Sequence, residues 1–268
     1  MKEIYGVKDL REHYNREDIS KNYEGLRFSS LAGQIEHIVG INLINSIIEK
    51  EKPNLVLEIA TGPGRLTKDM KLWNKGIGID SSSNMLKLTK KNVSNPNWKF
   101  IKTDVMKMPF KRNYFDMIIS FKLLMHFNNE EREKAYKEIG RVLKRNSLFL
   151  FDIGNKKYSK PVFIKILLKI YGFFFKSRQY NKLLPPIYNT LVTRDELIKE
   201  LKNNNFDVVK IYGLFYYNNL VLFLLALSKR IKFLSSITKK YILMLENNKQ
   251  KHIERYGSFI VLAKNEKD

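Results

Sequence analysis

The chain contains no cysteine. This absence excludes disulfide frameworks, thiolate zinc sites, iron–sulfur clusters and cysteine nucleophiles. Uninterrupted apolar runs of about 18 residues are also missing, because Lys165 and Lys169 divide the longest candidate, 162–175. The first residues are charged and lack the apolar core of a secretory signal. We therefore expect a cytoplasmic protein, with peripheral contact at the inner membrane face as an open alternative.

Acidic residues are scarce in this basic protein. Lysine and arginine number 49 against 27 aspartate and glutamate, which gives a net charge of +22. Positions 153–194 hold nine basic residues and no acidic one. On a helix, the lysines of this segment form a narrow stripe on a broad apolar surface. That pattern suits a lid with its lysines in water, or a helix lying at a membrane interface.

Short apolar runs alternate with helical patterns from residue 53 onward, which predicts a mostly parallel sheet flanked by helices. The expected strands are 54–59, 76–80, 98–102, 115–120, 147–152, 206–212 and 258–263. The expected helices are 65–73, 83–92, 130–144 and 195–203, the last opened by a capping box at Thr193–Glu196, and another helix precedes the first strand.

The segments outside this alternation define the predicted organisation. Residues 1–52 form an N-terminal helical cap segment, and 53–152 form the core that carries the motifs below. A basic, apolar helical insertion, the lid, occupies 153–192. Residues 193–268 complete the sheet domain and contain a second helical insertion at 213–257. Loops of such length carry structure or function of their own.

The first strand runs into a turn of small residues, which lets a ligand approach the backbone closely. The stretch reads Glu58-Ile59-Ala60-Thr61-Gly62-Pro63-Gly64. A dinucleotide fingerprint starting at Gly62 requires glycine at position 67, where this chain has threonine, so NAD binding is disfavoured.

Two further carboxylates end the next two strands. Asp80 ends the second strand beside the first turn, where a carboxylate can accept hydrogen bonds from both hydroxyls of a ribose. Capping of the following helix is its alternative role, although Ser81, Ser82 and Ser83 can do the same. Asp104 follows the third strand, and with the backbone N–H of Val105 it can read an adenine edge; a turn role is the alternative.

In order and spacing, residues 53–152 resemble the class I S-adenosylmethionine-dependent methyltransferases of the type 11-like group. The resemblance rests on Glu58–Gly64, Asp80 with Ser82-Ser83-Asn84-Met85-Leu86, Asp104 with Met108-Pro109-Phe110, Phe115–Ile118, and Arg141–Lys144. Two departures are Ala60 in place of the first motif glycine and Arg145-Asn146-Ser147 in place of Pro-Gly-Gly. The resemblance implies a Rossmann-like, seven-stranded α/β fold, mostly parallel with an antiparallel last strand and helical insertions.

The resemblance also implies the cofactor, S-adenosyl-L-methionine, and the residues that bind it. Those residues are Glu58, Ala60, Thr61, Gly62, Gly64, Asp80, Ser81, Met85, Asp104, Val105, Ser120 and Phe121. Asp80 would hold the ribose, and Asp104 with Val105 the adenine. Glu58 would orient the loop and approach the amino group, while Ser120 and Phe121 would lie beneath the sulfonium.

Of the four histidines, His126 alone follows the fourth strand near the expected transfer centre, and it is the candidate general base. A structural role for this ring is the stronger alternative. No His/Asp/Glu grouping has metal-ligand spacing, so no metal is expected.

These observations predict methyl transfer to an O or N atom of a small molecule, with a lipid-like or membrane-presented acceptor left open. Membrane contact would run through 153–192 and 213–245. RNA is a lesser alternative partner, because the charge favours it but the basic segments are interleaved with apolar runs. A non-catalytic, methyltransferase-like binding module is the third alternative, motivated by Ala60.

Overall fold

One mixed sheet forms the centre of the computed structural model, which describes residues 7–72, 74–157, 190–216, 232–248 and 256–267, with 221, 224, 227, 228 and 253 between them. Within these residues the strands are β1 (Leu55–Ile59), β2 (Lys75–Asp80), β3 (Trp98–Lys102), β4 (Phe115–Ser120), β5 (Leu143–Asn155), β6 (Leu191–Val192), β7 (Phe206–Tyr216) and β8 (Tyr256–Asn265).

The strand order is β3-β2-β1-β4-β5-β8-β7, and the two-residue β6 pairs in parallel with β5 at Gly154 and Asn155. Strands β1 to β5 pair in parallel, whereas β8 is antiparallel to both β5 and β7. The expected mostly parallel sheet with an antiparallel last strand is confirmed. Strand β6 is an addition to the expected seven strands.

Seven α-helices flank this sheet within the described residues. They are α1 (Val7–Asn15), α2 (Glu17–Phe28), α3 (Leu31–Glu51), α4 (Ser83–Asn92), α5 (Asn129–Val142), α6 (Arg194–Asn203) and α7 (Lys232–Asn248). The predicted capping box of α6 is confirmed, because the Thr193 hydroxyl accepts from Glu196 N and the Glu196 carboxylate accepts from Thr193 N.

The expected helix at 65–73 is wrong. The segment contains turns and one short 3₁₀ helix, Thr67–Asp69, and Trp73 lies outside the described residues. Side chains from elsewhere take its backbone groups: the Asn45 amide of α3 donates to Asp69 O at 3.0 Å and accepts from Lys71 N at 2.9 Å. Because Asn45 replaces a helical i−4 carbonyl for Lys71 N and a helical i+4 N–H for Asp69 O, the segment follows the surface of α3 instead of continuing as a helix.

Alternate residues of the strands pack on opposite faces of the sheet. Leu57, Ile118 and Phe149 lie in a cluster with α5 and α6, and their neighbours Val56, Met117 and Leu150 lie in a second cluster with α3. By length and composition α3 is the one described helix that could cross a membrane. Its isoleucines 41, 44, 47 and 48 are instead buried in the second cluster, as in a core helix.

The two predicted insertions are only partly described. Most of the predicted lid, 158–189, lies outside the described residues, as do 217–220 and most of 222–231. The end of the lid is described: Thr190 N donates to Met125 O at 2.8 Å, and its hydroxyl donates to Phe127 O at 2.6 Å. The chain therefore returns from this insertion beside the segment that follows β4.

Candidate functional site

A cavity lies at the carboxyl ends of β1 to β4, the edge where the sequence places its acidic residues. Nine of the residues predicted from the sequence line it: Ala60, Gly62, Asp80, Ser81, Met85, Asp104, Val105, Phe121 and His126. The other four predicted residues, Glu58, Thr61, Gly64 and Ser120, lie outside this lining. Parallel strands align their carboxyl ends, so residues from four separate strand ends converge.

The turn after β1 has left-handed backbone at Ala60 (φ 58°), Gly62 (φ 57°) and Gly64 (φ 81°). Gly64 is also required by packing, since a Cβ there would come within 2.8 Å of Val93 Cγ2. Ala60 adopts the same region with a side chain, a conformation that costs an L-residue about 1 kcal/mol. The turn remains formed with alanine at this position.

Asp80 connects this turn to α4. Its Oδ2 accepts from Gly62 N at 2.9 Å, and its Oδ1 accepts from Ser82 N at 2.8 Å. Burial raises the pKa of this carboxyl group, although the backbone donors of Ser82, Gly62 and Ser81 act in the opposite direction. Ser82, and not Asp80, caps α4, because its hydroxyl accepts from Met85 N. A carboxylate has about four acceptor positions, so both oxygens retain capacity for ligand hydroxyls.

Glu58 lies beneath the turn. It is 3% exposed, and its carboxyl group accepts from the Thr67 hydroxyl at 2.5 Å. Burial raises the pKa of Glu58 to about 8, against the lowering effects of Thr67 and Arg65. This placement accords with the loop-orienting part of its predicted role, and the structure places the side chain outside the cavity lining.

Asp104 contacts both the loop that follows β3 and the N-terminal helix α1. Its Oδ1 accepts from Met106 N at 2.9 Å, and Arg11 of α1 forms an ion pair with its other oxygen. Val105 is buried and lines the same part of the cavity.

Four lining residues that sequence reasoning missed come from the N-terminal helices: Leu10, Arg11 and Tyr14 of α1, and Tyr23 of α2. Contacts with α4 hold α1 in place, since the Ser82 hydroxyl donates to Tyr14 O at 2.9 Å and the Asn84 amide donates to Asn15 O at 2.5 Å. The i, i+4 spacing of Leu10 and Tyr14 indicated an apolar helix face. The residue that contacts Tyr14, Ser82, lies almost 70 positions further along the chain, so no pattern within α1 indicates this contact.

His126 lies in a short 3₁₀ helix, Leu124–His126, and its side chain is buried in the cavity wall. The Tyr14 ring is 6.3 Å from it, centroid to centroid, and Tyr23 packs edge-on against Tyr14 at 5.9 Å. Phe121, Leu123 and Phe127 extend this aromatic and apolar wall. The wall resembles a site for an apolar or aromatic ligand more than one for a strongly polar ligand.

Lys122, a lining residue that the sequence analysis also missed, follows Phe121 with φ 61°. Its ammonium group forms ion pairs with Glu36 of α3 and, at 3.0 Å, with Asp152 of β5. The backbone N–H of Lys122 also donates a hydrogen bond to Asp152 Oδ1. The three side chains are 14%, 12% and 0% exposed. Burial acts to lower the pKa of Lys122, but the two carboxylates outweigh it and hold the pKa above its usual value. We call these residues the Lys122 cluster.

Comparisons with known proteins agree with this architecture. Residues 56–146 match a family model described as a methyltransferase domain. An uncharacterized protein of Methanocaldococcus jannaschii is 28% identical over 218 residues, covering 76% of this chain and 78% of the relative. The ubiquinone/menaquinone biosynthesis C-methyltransferase UbiE of Campylobacter jejuni is 28% identical over 175 residues, covering 58% of this chain and 71% of the relative.

Among solved structures, magnesium protoporphyrin IX methyltransferase (ChlM) from Synechocystis PCC 6803, crystallised with bound SAH, superposes with a TM-score of 0.62. The identity is 14%, and the superposition covers 96% of this chain and 99% of that one. This likeness confirms the predicted fold.

Proposed function

The chain is a class I methyltransferase that depends on S-adenosylmethionine, as its sequence motifs predicted, and we propose that it methylates a small molecule with a largely apolar body. The observation that carries the proposal is the continuity of one cavity. Asp80 and Asp104 line it together with the aromatic and apolar wall of Tyr14, Phe121 and Phe127.

The residues predicted to bind the cofactor offer hydrogen-bonding groups and apolar surface that fit an adenosyl group. Asp80 is held by two backbone amides in an orientation that leaves acceptor positions for ribose hydroxyls. Asp104 and the Val105 backbone lie at the next strand end, where the resemblance places adenine. Ile59, Ile79 and Met85 supply apolar contacts beside them.

When bound, S-adenosylmethionine supplies a methyl group on a positively charged sulfur, which is a good leaving group. The chain's contribution is then positioning and exclusion of water. The helices α1 and α2 cover the cavity with Leu10, Tyr14 and Tyr23, so an acceptor bound there is shielded from solvent. The return of the lid segment at Thr190 beside Phe127 supports a covering role for 153–192 as well.

The acceptor atom is oxygen or nitrogen in our proposal, with His126 as the group that takes up the acceptor's proton where one must leave. Its burial in the wall near Tyr14 supports this assignment. Methylation of a carbon atom is a second candidate, supported by the similarity to the C-methyltransferase UbiE.

The localisation that we propose is cytoplasmic. RNA as the acceptor and a purely binding role are the competing proposals, since the net charge of +22 favours the first and Ala60 motivates the second. An apolar, covered cavity suits a small molecule better than a polynucleotide, whose binding needs an extended basic surface.

Binding of S-adenosylhomocysteine, measured by calorimetry, tests the cofactor site. Asp80→Ala should weaken it by about a hundredfold, because a charged acceptor and the hydrogen bond to Gly62 are both lost. Asp116→Asn is the matched control, since Asp116 accepts from Leu55 N at the opposite edge of the sheet. Failure of the unaltered protein to bind would contradict the cofactor assignment.

The acceptor is tested with methyl-labelled cofactor and fractionated cell lysate. We expect label in small-molecule or lipid fractions, and His126→Gln should reduce turnover without altering cofactor affinity. Label recovered in RNA would replace the proposal with its nucleic-acid alternative. Absence of label in every fraction, together with normal cofactor binding, would favour the binding module.

A further inference from the structure

Helix α7 exposes apolar side chains on the face opposite its buried one. Ile242 and Leu245 are buried in a cluster with Ile35 of α3 and Tyr256 of β8. On the other side Phe233, Ile237 and Met244 are 78%, 50% and 50% exposed. At about 100° per residue these three positions fall within about 40° of each other. We call this face, with Lys240, the α7 stripe.

The stripe concentrates exposed apolar area. Over the described residues, the exposed large hydrophobic side chains are Leu191, Val209, Phe233, Ile237 and Met244, and three of these five belong to the stripe. Single exposed apolar residues are ordinary on protein surfaces, whereas a cluster marks a surface that meets a partner.

Lysines identify the kind of partner. Lys240 is exposed and lies about 20° from Phe233, at the edge of the three apolar positions. By sequence α7 carries three lysines and one glutamate, in a chain of net charge +22. The centre of a protein–protein interface is depleted of lysine. At a bilayer surface, by contrast, a lysine buries its aliphatic stem while its ammonium group reaches the lipid phosphates.

We infer that the α7 stripe docks the protein on the surface of an anionic lipid bilayer. Phe233, Ile237 and Met244 enter the boundary between head groups and acyl chains, and Lys240 pairs with phosphate. The axis of α7 lies in the plane of the membrane. This inference is independent of which molecule the enzyme methylates.

The docking helix α7 packs against α3, and α3 in turn contacts the wall of the cavity. Helix α3 packs against α7 through Ile35, and its next residue, Glu36, belongs to the Lys122 cluster in the cavity wall. Docking would then bring the protein close to an acceptor dissolved in the bilayer, although docking itself requires no acceptor.

Co-sedimentation with vesicles tests the inference on the full chain. We expect binding to phosphatidylcholine vesicles that contain phosphatidylglycerol, and weak binding to phosphatidylcholine alone. The combined variant Phe233→Ser, Ile237→Ser and Met244→Ser should bind the anionic vesicles at least about tenfold more weakly, because its inserted apolar surface is lost. Lys240→Glu should weaken only the part of the binding that depends on phosphatidylglycerol.

Val209→Ser is the matched control, because Val209 is 54% exposed on β7 and is not part of the α7 stripe. It should bind as the unaltered protein does. Equal thermal midpoints and equal affinity for S-adenosylhomocysteine would establish that each variant is folded. Unchanged vesicle binding by the triple variant would overturn the inference. So would a dimer in sedimentation that the triple variant converts to a monomer, with no vesicle binding, since the partner would then be a second copy of the chain.

Discussion

At the scale of single residues, burial separates the three acidic residues that the motifs place at strand ends. Asp80 and Asp104 line the cavity, whereas Glu58 is enclosed beneath the turn with Thr67 as its partner. A carboxyl group in that position is more stable with its proton than without it, which raises its pKa to about 8. The acids at these strand ends are therefore of two kinds: Asp80 and Asp104 line the cavity, and Glu58 supports the loop.

Glu58→Gln should change how stability depends on pH. In the unfolded chain Glu58 loses its proton near its ordinary pKa of 4.5, but in the folded chain burial raises that pKa to about 8. Between these values the unfolded state binds fewer protons, so the free energy of unfolding falls as pH rises, by up to about 1.4 kcal/mol per pH unit. Glutamine keeps an acceptor for Thr67 and does not titrate, so the variant lacks this fall.

Urea unfolding between pH 4.5 and pH 8 measures the difference. The variant should approach or exceed the unaltered protein in stability toward pH 8. The control Glu133→Gln alters an exposed residue paired with Lys137 and should preserve the original pH dependence. Parallel curves for Glu58→Gln and the unaltered protein would show that Glu58 ionises normally.

At the scale of elements, the Lys122 cluster joins three parts of the chain. Glu36 belongs to α3, Lys122 follows β4, and Asp152 belongs to β5. A buried ion pair is weak proof of stabilisation, yet removing one partner leaves a charge without compensation in the interior. The cluster therefore holds the cavity wall at Phe121 and Lys122 in register with α3.

Lys122→Met should lower the free energy of unfolding by about 3–5 kcal/mol, because Asp152 is left fully buried without its cation. Methionine has a similar length and meets the same cost at φ 61°, so the backbone effect is small. The double variant Lys122→Met, Asp152→Asn should recover part of the loss in a thermodynamic cycle measured by urea unfolding. A loss below about 1 kcal/mol for the single variant would contradict the role of the cluster.

At the scale of the whole molecule, the net positive charge does not arise from the residues around the cavity. The chain carries +22, yet the charged residues described around the cavity are mixed: Arg11 with Asp104, Lys122 with Glu36 and Asp152, and Asp80. The basic excess therefore lies outside the cavity lining, and 153–194 alone contributes nine positive charges by sequence. This distribution favours a surface role for the charge, separate from ligand selection.

S-adenosylhomocysteine should stabilise the whole fold. At about one hundred times its dissociation constant, the ligand should add about 2.7 kcal/mol to the free energy of unfolding. For a domain of this size the thermal midpoint should rise by roughly 5–10 °C in scanning calorimetry. NAD should produce no shift, because Thr67 takes the place of the third fingerprint glycine. An equal shift with NAD would contradict the assignment of the cofactor.

The sequence by itself determined seven of the eight described strands, the helix α4, the capping box of α6 and the position of Asp80 and Asp104 at strand ends. These features depend on residues close together in the chain, where periodicity and cap chemistry act directly. Only the tertiary structure decided that α1 and α2 line the cavity, that Lys122 is buried between two carboxylates, and that 65–73 follows α3 instead of forming a helix. Each of these depends on contacts between residues about 25 or more positions apart, whose energies exceed local preferences and leave no trace in local pattern.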